Sequence, residues 1–310
     1  MSTGIRALTL VFPLVVFLIW GSFHTPDPDS TRGYGDDDSD VVLSSLPTLP
    51  SWASAELPDF SQHRDSTERK AAFFSFLYPR IMLANSRILI ERDYLASLAQ
   101  KTELSQTEQS WLSDQAQRLR VDEEAGSPEL FDRLRKRLDV ISPSLILAQA
   151  ANESAWGTSR FATRGNNLFG QWCFSKGCGL VPLSRVDGAS HEVAKFASPY
   201  RSVRAYIQNL NRHPTYQVLR DVRLDARNSG ELASGTALAA GLIGYSERGE
   251  DYVKEIRSMI RYNNLSYFDL AFSDTIEGSN SLKLKQLAST KKESRLLPRS
   301  GDEDDPESGS

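Results

Sequence analysis

AQAANESAWGTSRFATRGNNLFG, residues 148–170, is the stretch on which the reading of this chain turns. It sets a glutamate, Glu153, in a helix-like run of small and apolar residues. Ser142-Pro143 opens the helix, with the serine as N-cap and the proline in the first turn, and Gly157 is positioned to stop it. Ile146, Ala150, Glu153 and Trp156 or Gly157 then share one face. Ala148, Ala150, Ala151 and Ala155 let neighbours pack close. Glu153 falls in the last helical turn, where the negative end of the helix dipole disfavours its charged form. Desolvation acts in the same direction. A raised pKa is what a general acid working near neutrality needs. The same periodicity also fits a solvated glutamate paired with Arg160 or Arg164, so spacing alone leaves both readings open.

Before this segment, Glu68–Ala99 has apolar residues at three-to-four spacing, with Pro79 expected to kink or divide the helix. Thr107–Leu119 and Ser127–Leu138 read as two more helices, each with a capping-box-like start. After it, residues 171–197 lose the helical period. Leu180–Leu183 and His191–Phe196 bracket a turn at Asp187-Gly188, which predicts a short hairpin. Helical spacing returns at Tyr200–His213, Tyr216–Ala226, Gly235–Tyr245 and Asp251–Asn263. The expected class is mainly α with one small β-hairpin.

Both ends differ from this core. Met1–Arg6 is short and basic, and Ala7–Trp20 follows with 14 uncharged, mostly apolar residues. This is the pattern of an export signal, and a cleaved signal peptide and an uncleaved signal anchor over residues 1–23 both fit it. Residues 24–66 are acidic and then proline-broken, the composition of a linker. From residue 273 the chain runs through a basic stretch into GDEDDPESGS, and a solvated, disordered tail is expected over 273–310. The remainder divides into an N-terminal helical region, 67–140, and a domain, 141–272, that contains the Glu153 helix and is expected to carry any catalysis. A formal net charge of −4 gives no basic footprint for nucleic acid.

The two cysteines form Cys173-x4-Cys178. Export to an oxidising compartment favours a disulfide between them. A zinc pair is the other reading, but His24, His63, His191 and His213 supply no ligand-spaced cluster. No His-Glu-x-x-His motif for a metalloprotease is present, and no metal or cofactor is expected.

The run Ala148–Gly157, the following Thr158–Ala162 and Gly165–Gly170 resemble the peptidoglycan N-acetylglucosaminidase (mannosyl-glycoprotein endo-β-N-acetylglucosaminidase-like) family. The likeness is strongest to its Bax-type bacterial members, which also carry a Cys-x4-Cys after Asn-Asn-Leu-Phe-Gly. It continues through Phe196–Ser198, Ala205–Tyr216 and Gly244-Tyr245-Ser246 before Tyr252, and covers about residues 67–265. The resemblance implies a lysozyme-like fold, a helical lobe and a small hairpin lobe with a glycan groove between them. It makes Glu153 the general acid that protonates the glycosidic oxygen.

Glycoside hydrolysis usually uses a second carboxylate, and the family often draws it from the hairpin. Glu192 is the main candidate, Asp187 the next and Glu247 a minor third. If none serves, the substrate's own N-acetyl group is the internal nucleophile. The resemblance sets Tyr245 facing Glu153, with its hydroxyl on water or on the acetamido group. The common Gly-Tyr-Ala-Thr-Asp reads Gly-Tyr-Ser-Glu-Arg here, so the family's Thr and Asp roles do not carry over. Asn166, Asn167, Phe169, Trp172 and Tyr252 form the expected substrate-binding set; Phe169 and Trp172 supply a stacking face for pyranose rings, and the Asn166 and Asn167 amides either cap the preceding turn or bond to sugar hydroxyls. The expected partner is the glycan strand of peptidoglycan, in the periplasm of a Gram-negative bacterium, with possible inner-membrane anchoring through residues 1–23. Lytic transglycosylases and muramidases also place Glu-Ser at a helix end on a similar fold, and a non-catalytic glycan-binding scaffold would use the same groove. Nothing in the sequence bears on oligomeric state.

Overall fold

The computed structural model describes residues 43, 45–183, 185 and 190–298. The export-type segment, most of the acidic stretch, Asp187 with its turn and the last twelve residues lie outside the described residues. Among the described residues no helix is long and apolar enough to cross a membrane.

Among the described residues, eleven α-helices and a three-stranded sheet build the fold. The longest, α1, spans Ser66–Leu98. Asp65 caps it by accepting from the backbone N–H groups of Thr67 and Glu68. The helix runs on through Pro79, so the expected division there does not occur. Its middle is covered on nearly all sides, from Leu77 to Glu91, and this packing holds the helix together across the lost hydrogen bond. α2 (Gln106–Leu119) begins with a full capping box, Ser105 with Glu108, and α3 (Pro128–Arg137) is capped by Ser127.

α4, Pro143–Glu153, is the central helix. Every residue from Pro143 to Ala151 is buried, which explains why it is apolar all round. Ser142 does not cap it; its hydroxyl donates to the carbonyl of Ala233. The cap comes instead from Asp269, which accepts from Ser144 N at 2.8 Å and Ser144 Oγ at 2.6 Å. The same carboxylate takes Gly235 N at 3.0 Å and so ties three segments together.

α5 (Arg160–Gly165) leads into the sheet. β1 (Trp172–Cys173), β2 (Gly179–Leu180) and β3 (Glu192–Ala194) are all antiparallel, with β3 in the middle. Trp172 pairs with Val193 and Leu180 also pairs with Val193 from the other side. The expected hairpin therefore gains a third strand.

α6 (Pro199–Arg212), α7 (Gln217–Asn228), the short α8 (Gly235–Leu238), a 3-10 turn over Ala239–Tyr245 and α9 (Glu250–Tyr262) complete the helical lobe. α4 packs against α1, α8, α9 and the following helix α10 (Ser266–Ile276), so its ends are placed by four separate neighbours.

Of the flanks expected to be solvated, the described parts are packed on the helical lobe. Residues 45–65 lie along the helical lobe with two 3-10 turns, and Ala53 and Phe60 are buried. Phe60 meets Phe73 edge-on at 5.4 Å. Beyond residue 273, α10 continues, α11 (Ser281–Ala288) packs on α1, and Leu284, Ala288 and Leu296 are buried. The windows are short and charged, so their few apolar anchors carry no visible period.

Candidate active site

The end of α4 is built by Ser154. Its hydroxyl donates to Ala150 O at 2.6 Å and accepts from Gly157 N at 2.7 Å. The chain then turns through three consecutive left-handed residues, Ala155, Trp156 and Gly157, with φ of 51°, 59° and 76°. Such conformations are unfavourable for Ala and Trp. The indole of Trp156 packs edge-on against Phe74 at 5.4 Å and Phe73 at 6.0 Å, which holds the turn. A Cβ at Gly157 would stand 2.7 Å from the Phe60 ring, so only glycine fits. This turn terminates the helix at Glu153 and leaves its half-buried side chain at the surface of the lobe.

Glu153 Oε1 accepts from Tyr252 Oη at 2.7 Å and from Asn152 Nδ2 at 3.2 Å. Burial nevertheless raises its pKa above the ordinary carboxylate value. The two hydrogen bonds and Arg248 oppose that rise, and the charge of Glu255 adds to it. Arg248 is paired with Glu255 at 2.6 Å, so its pull on Glu153 is shared. The carboxyl is therefore poised toward its protonated form.

Behind Tyr252 lies a buried polar relay. Gln149 Nε2 donates to Tyr252 Oη at 2.8 Å, and the Tyr206 hydroxyl donates to Gln149 Oε1. Burial pushes the phenols of Tyr206, Tyr245 and Tyr252 well above their usual pKa, so all three stay protonated.

The structure brings Glu153, Tyr245 and Tyr252 together, but the hydroxyl on Glu153 expected from Tyr245 comes from Tyr252. Tyr245 gives its hydroxyl to Phe169 O at 2.9 Å, and its ring stacks on Tyr252 at 5.3 Å. The residue whose hydroxyl faces Glu153 is the buried Tyr252.

Both oxygens of Glu192 are engaged within its own lobe. Its oxygens accept from Gly177 N at 3.0 Å and Gly179 N at 2.8 Å, and these donors hold its pKa below the usual range. It braces the loop closed by the Cys173–Cys178 disulfide. Both sulfurs are consumed in that bond, which removes the zinc reading. Asp187 lies outside the described residues, and Glu247 is exposed.

Asn167 is buried and fully engaged. Its Nδ2 donates to Gln171 O and Ala194 O, and its Oδ1 accepts from Phe169 N and Gln171 N. It braces the turn into β1 rather than offering an amide to sugar hydroxyls. Asn166 ends α5 in the left-handed conformation and donates to Phe196 O at 3.0 Å. Phe169 is buried and stacked on Tyr206 at 4.0 Å, so it is core and not platform. Trp172 remains half-buried, with one ring face covered by His191 at 4.4 Å. Sequence reasoning missed Gln149, Tyr206 and Glu255. Gln149 stands one turn before Glu153 and was the one signal within reach.

The family model described as glucosaminidase, mannosyl-glycoprotein endo-beta-N-acetylglucosaminidase, matches residues 128–265. The match spans α4, the sheet and α9, and so contains Glu153 and Tyr252. A curated protein, "Protein bax" of Escherichia coli (strain K12), is 35% identical over 211 residues, which cover 68% of this chain and 75% of that protein. The chain belongs to the glucosaminidase family. No solved structure matches it. The glucosaminidase family is one of glycan-directed glycoside hydrolases, and the mainly α fold with a small β lobe agrees with the expectation drawn from the resemblance.

Proposed function

We propose that the protein is a peptidoglycan hydrolase that cuts the glycan strand after N-acetylglucosamine, with Glu153 as the general acid. The observation that carries this reading is the carboxyl of Glu153, half-buried at the end of α4, held by Tyr252 and shifted up in pKa by desolvation. Protonated, it delivers its proton to the glycosidic oxygen as the bond to the anomeric carbon breaks. The occupied oxygens of Glu192 favour the substrate's acetamido oxygen as the nucleophile. That oxygen bonds to the anomeric carbon as the leaving sugar departs with the proton. Water then opens the cyclic intermediate and returns a proton to Glu153.

We place this activity in the periplasm of a Gram-negative bacterium, with residues 1–23 serving export or inner-membrane anchoring. The disulfide and the likeness to an Escherichia coli protein support that placement.

The test is mass spectrometry of purified peptidoglycan digested by the full chain, beside Glu153→Gln. Reducing-end N-acetylglucosamine, absent with the variant, supports the reading. Reducing or 1,6-anhydro N-acetylmuramic acid reassigns the enzyme to muramidases or lytic transglycosylases. Glycan binding without products makes the domain a scaffold.

A further inference from the structure

The relay behind Glu153 has a fixed direction. Each phenol owns one hydrogen, and the amide of Gln149 donates from one end and accepts at the other. Tyr252 Oη stands 2.7 Å from a carboxylate oxygen, which only accepts when ionised, so the Tyr252 hydrogen goes there. Tyr252 must then accept from behind. That requirement sets Gln149 Nε2 toward Tyr252 and Gln149 Oε1 toward Tyr206, which has to donate. Gln149 and Tyr206 are both buried, so no water competes for these positions. Both hydrogen bonds that reach Glu153, from Tyr252 and Asn152, end on Oε1.

We propose that Gln149 and Tyr206 are positioning residues that act on the acid through Tyr252. By forcing the Tyr252 hydrogen onto Oε1, they keep that oxygen an acceptor and assign the transferable proton of Glu153 to Oε2. The inference rests on Glu153 being the acid.

The other groups facing Glu153 come from several elements. Arg248 and Glu255 belong to α9 and the turn before it, Tyr245 to the 3-10 turn, Tyr206 to α6 and Asn152 to α4 itself. Arg248 and Glu255 act through space and stay unchanged in the variants below. A shift that travels through Tyr252 can therefore be told from one that does not.

The experiment is a pH titration of the Glu153 side-chain carboxyl by NMR. It uses the full chain labelled with 13C-carboxyl glutamate, and the Glu153→Gln variant assigns the signal. Tyr252→Phe removes the donor to the charged form and is expected to raise the midpoint by about one pH unit. Gln149→Met frees the Tyr252 hydroxyl to turn away and is expected to raise it by about half a unit. Tyr206→Phe removes the outer donor and shifts it in the same direction, and it serves if the Gln149 variant fails to fold. In the Tyr252→Phe background neither replacement moves the midpoint further. An unmoved midpoint in the single variants, or an equal shift with and without Tyr252, overturns the proposal. The titration needs no glycan, whereas the acid's role is decided by the products of the wild-type digest, so the two can fail separately.

Discussion

At the scale of the residue, Glu153 does two opposed things. It needs a buried setting to hold its proton, and burial of its charge weakens the fold. The carboxyl's pKa is raised in the folded chain, so the folded state binds the proton more tightly than the unfolded state does. Any stability from that proton is present below the ordinary carboxylate value and is lost as pH rises through the folded value. Glu153→Gln carries no such titration. We expect its melting temperature to exceed that of the wild type at pH 7–8, and the difference to close as pH falls below about 4. A gap that widens on acidification would show that the carboxylate is stabilised in the folded state. The same variant is expected to lose activity by roughly 10²–10⁴-fold, the usual contribution of a general acid. Glu192 separates from it by the same logic. Glu192→Gln keeps one oxygen for the loop N–H groups, so its activity is expected to fall less than about tenfold, whereas a catalytic carboxylate would lose as much as Glu153. Glu153 was legible because Glu-Ser lies among small residues within one local helix. Its partner Tyr252 was not legible in that role, since the two are 99 positions apart and only the packing of α9 on α4 joins them.

At the scale of the element, the device is the pair of ends of α4. One end is made locally and was readable. The Ser154 hydroxyl and Gly157 stop the helix within four residues. Gly157→Ala would force a Cβ to within 2.7 Å of Phe60 at a φ of 76°. We expect a loss of about 2–4 kcal/mol, combining left-handed strain and overpacking, measured by denaturant unfolding. The other end is made from afar and was misread. Ser142 has the residue type and position of an N-cap, yet Asp269 supplies the acceptors. Cap propensity is a local rule, and here a carboxylate from α10 outcompetes a neighbouring hydroxyl because it accepts three donors at once. Asp269→Ala leaves those donors buried and is expected to cost about 2–4 kcal/mol by the same measurement. The small β lobe shows the same division. The loss of helical period announced it, but the pairing of Trp172–Cys173 with β3 depends on the turn braced by Asn167.

At the scale of the molecule, the two flanks that read as solvated are joined through α1. Arg80 is fully buried at the meeting point. Its guanidinium lies 3.5 Å from the centre of the Phe76 ring and donates to Trp52 O at 3.0 Å and to Glu293 Oε2 at 3.0 Å. Trp52 in turn donates to Thr290 O at 2.8 Å. Burial lowers the pKa of Arg80 to about 10, and the Glu293 carboxylate offsets part of that cost. Composition hid this arrangement, because a charged segment with one leucine per turn looks the same whether it is solvated or laid on a helix. The distinction has a direct test. Truncation after Asn280 removes α11, uncovers the face of α1 that Leu284 and Ala288 cover, and deprives Arg80 of its carboxylate. A truly solvated tail would leave the melting temperature unchanged. The packing predicts a loss of about 3–5 kcal/mol, read as a fall in both melting temperature and denaturant midpoint. Glu293→Gln in the full chain isolates the charge. It keeps an acceptor for Arg80 and leaves α11 in place, so it should cost only about 1–2 kcal/mol, and the remainder of the truncation effect belongs to the apolar contact.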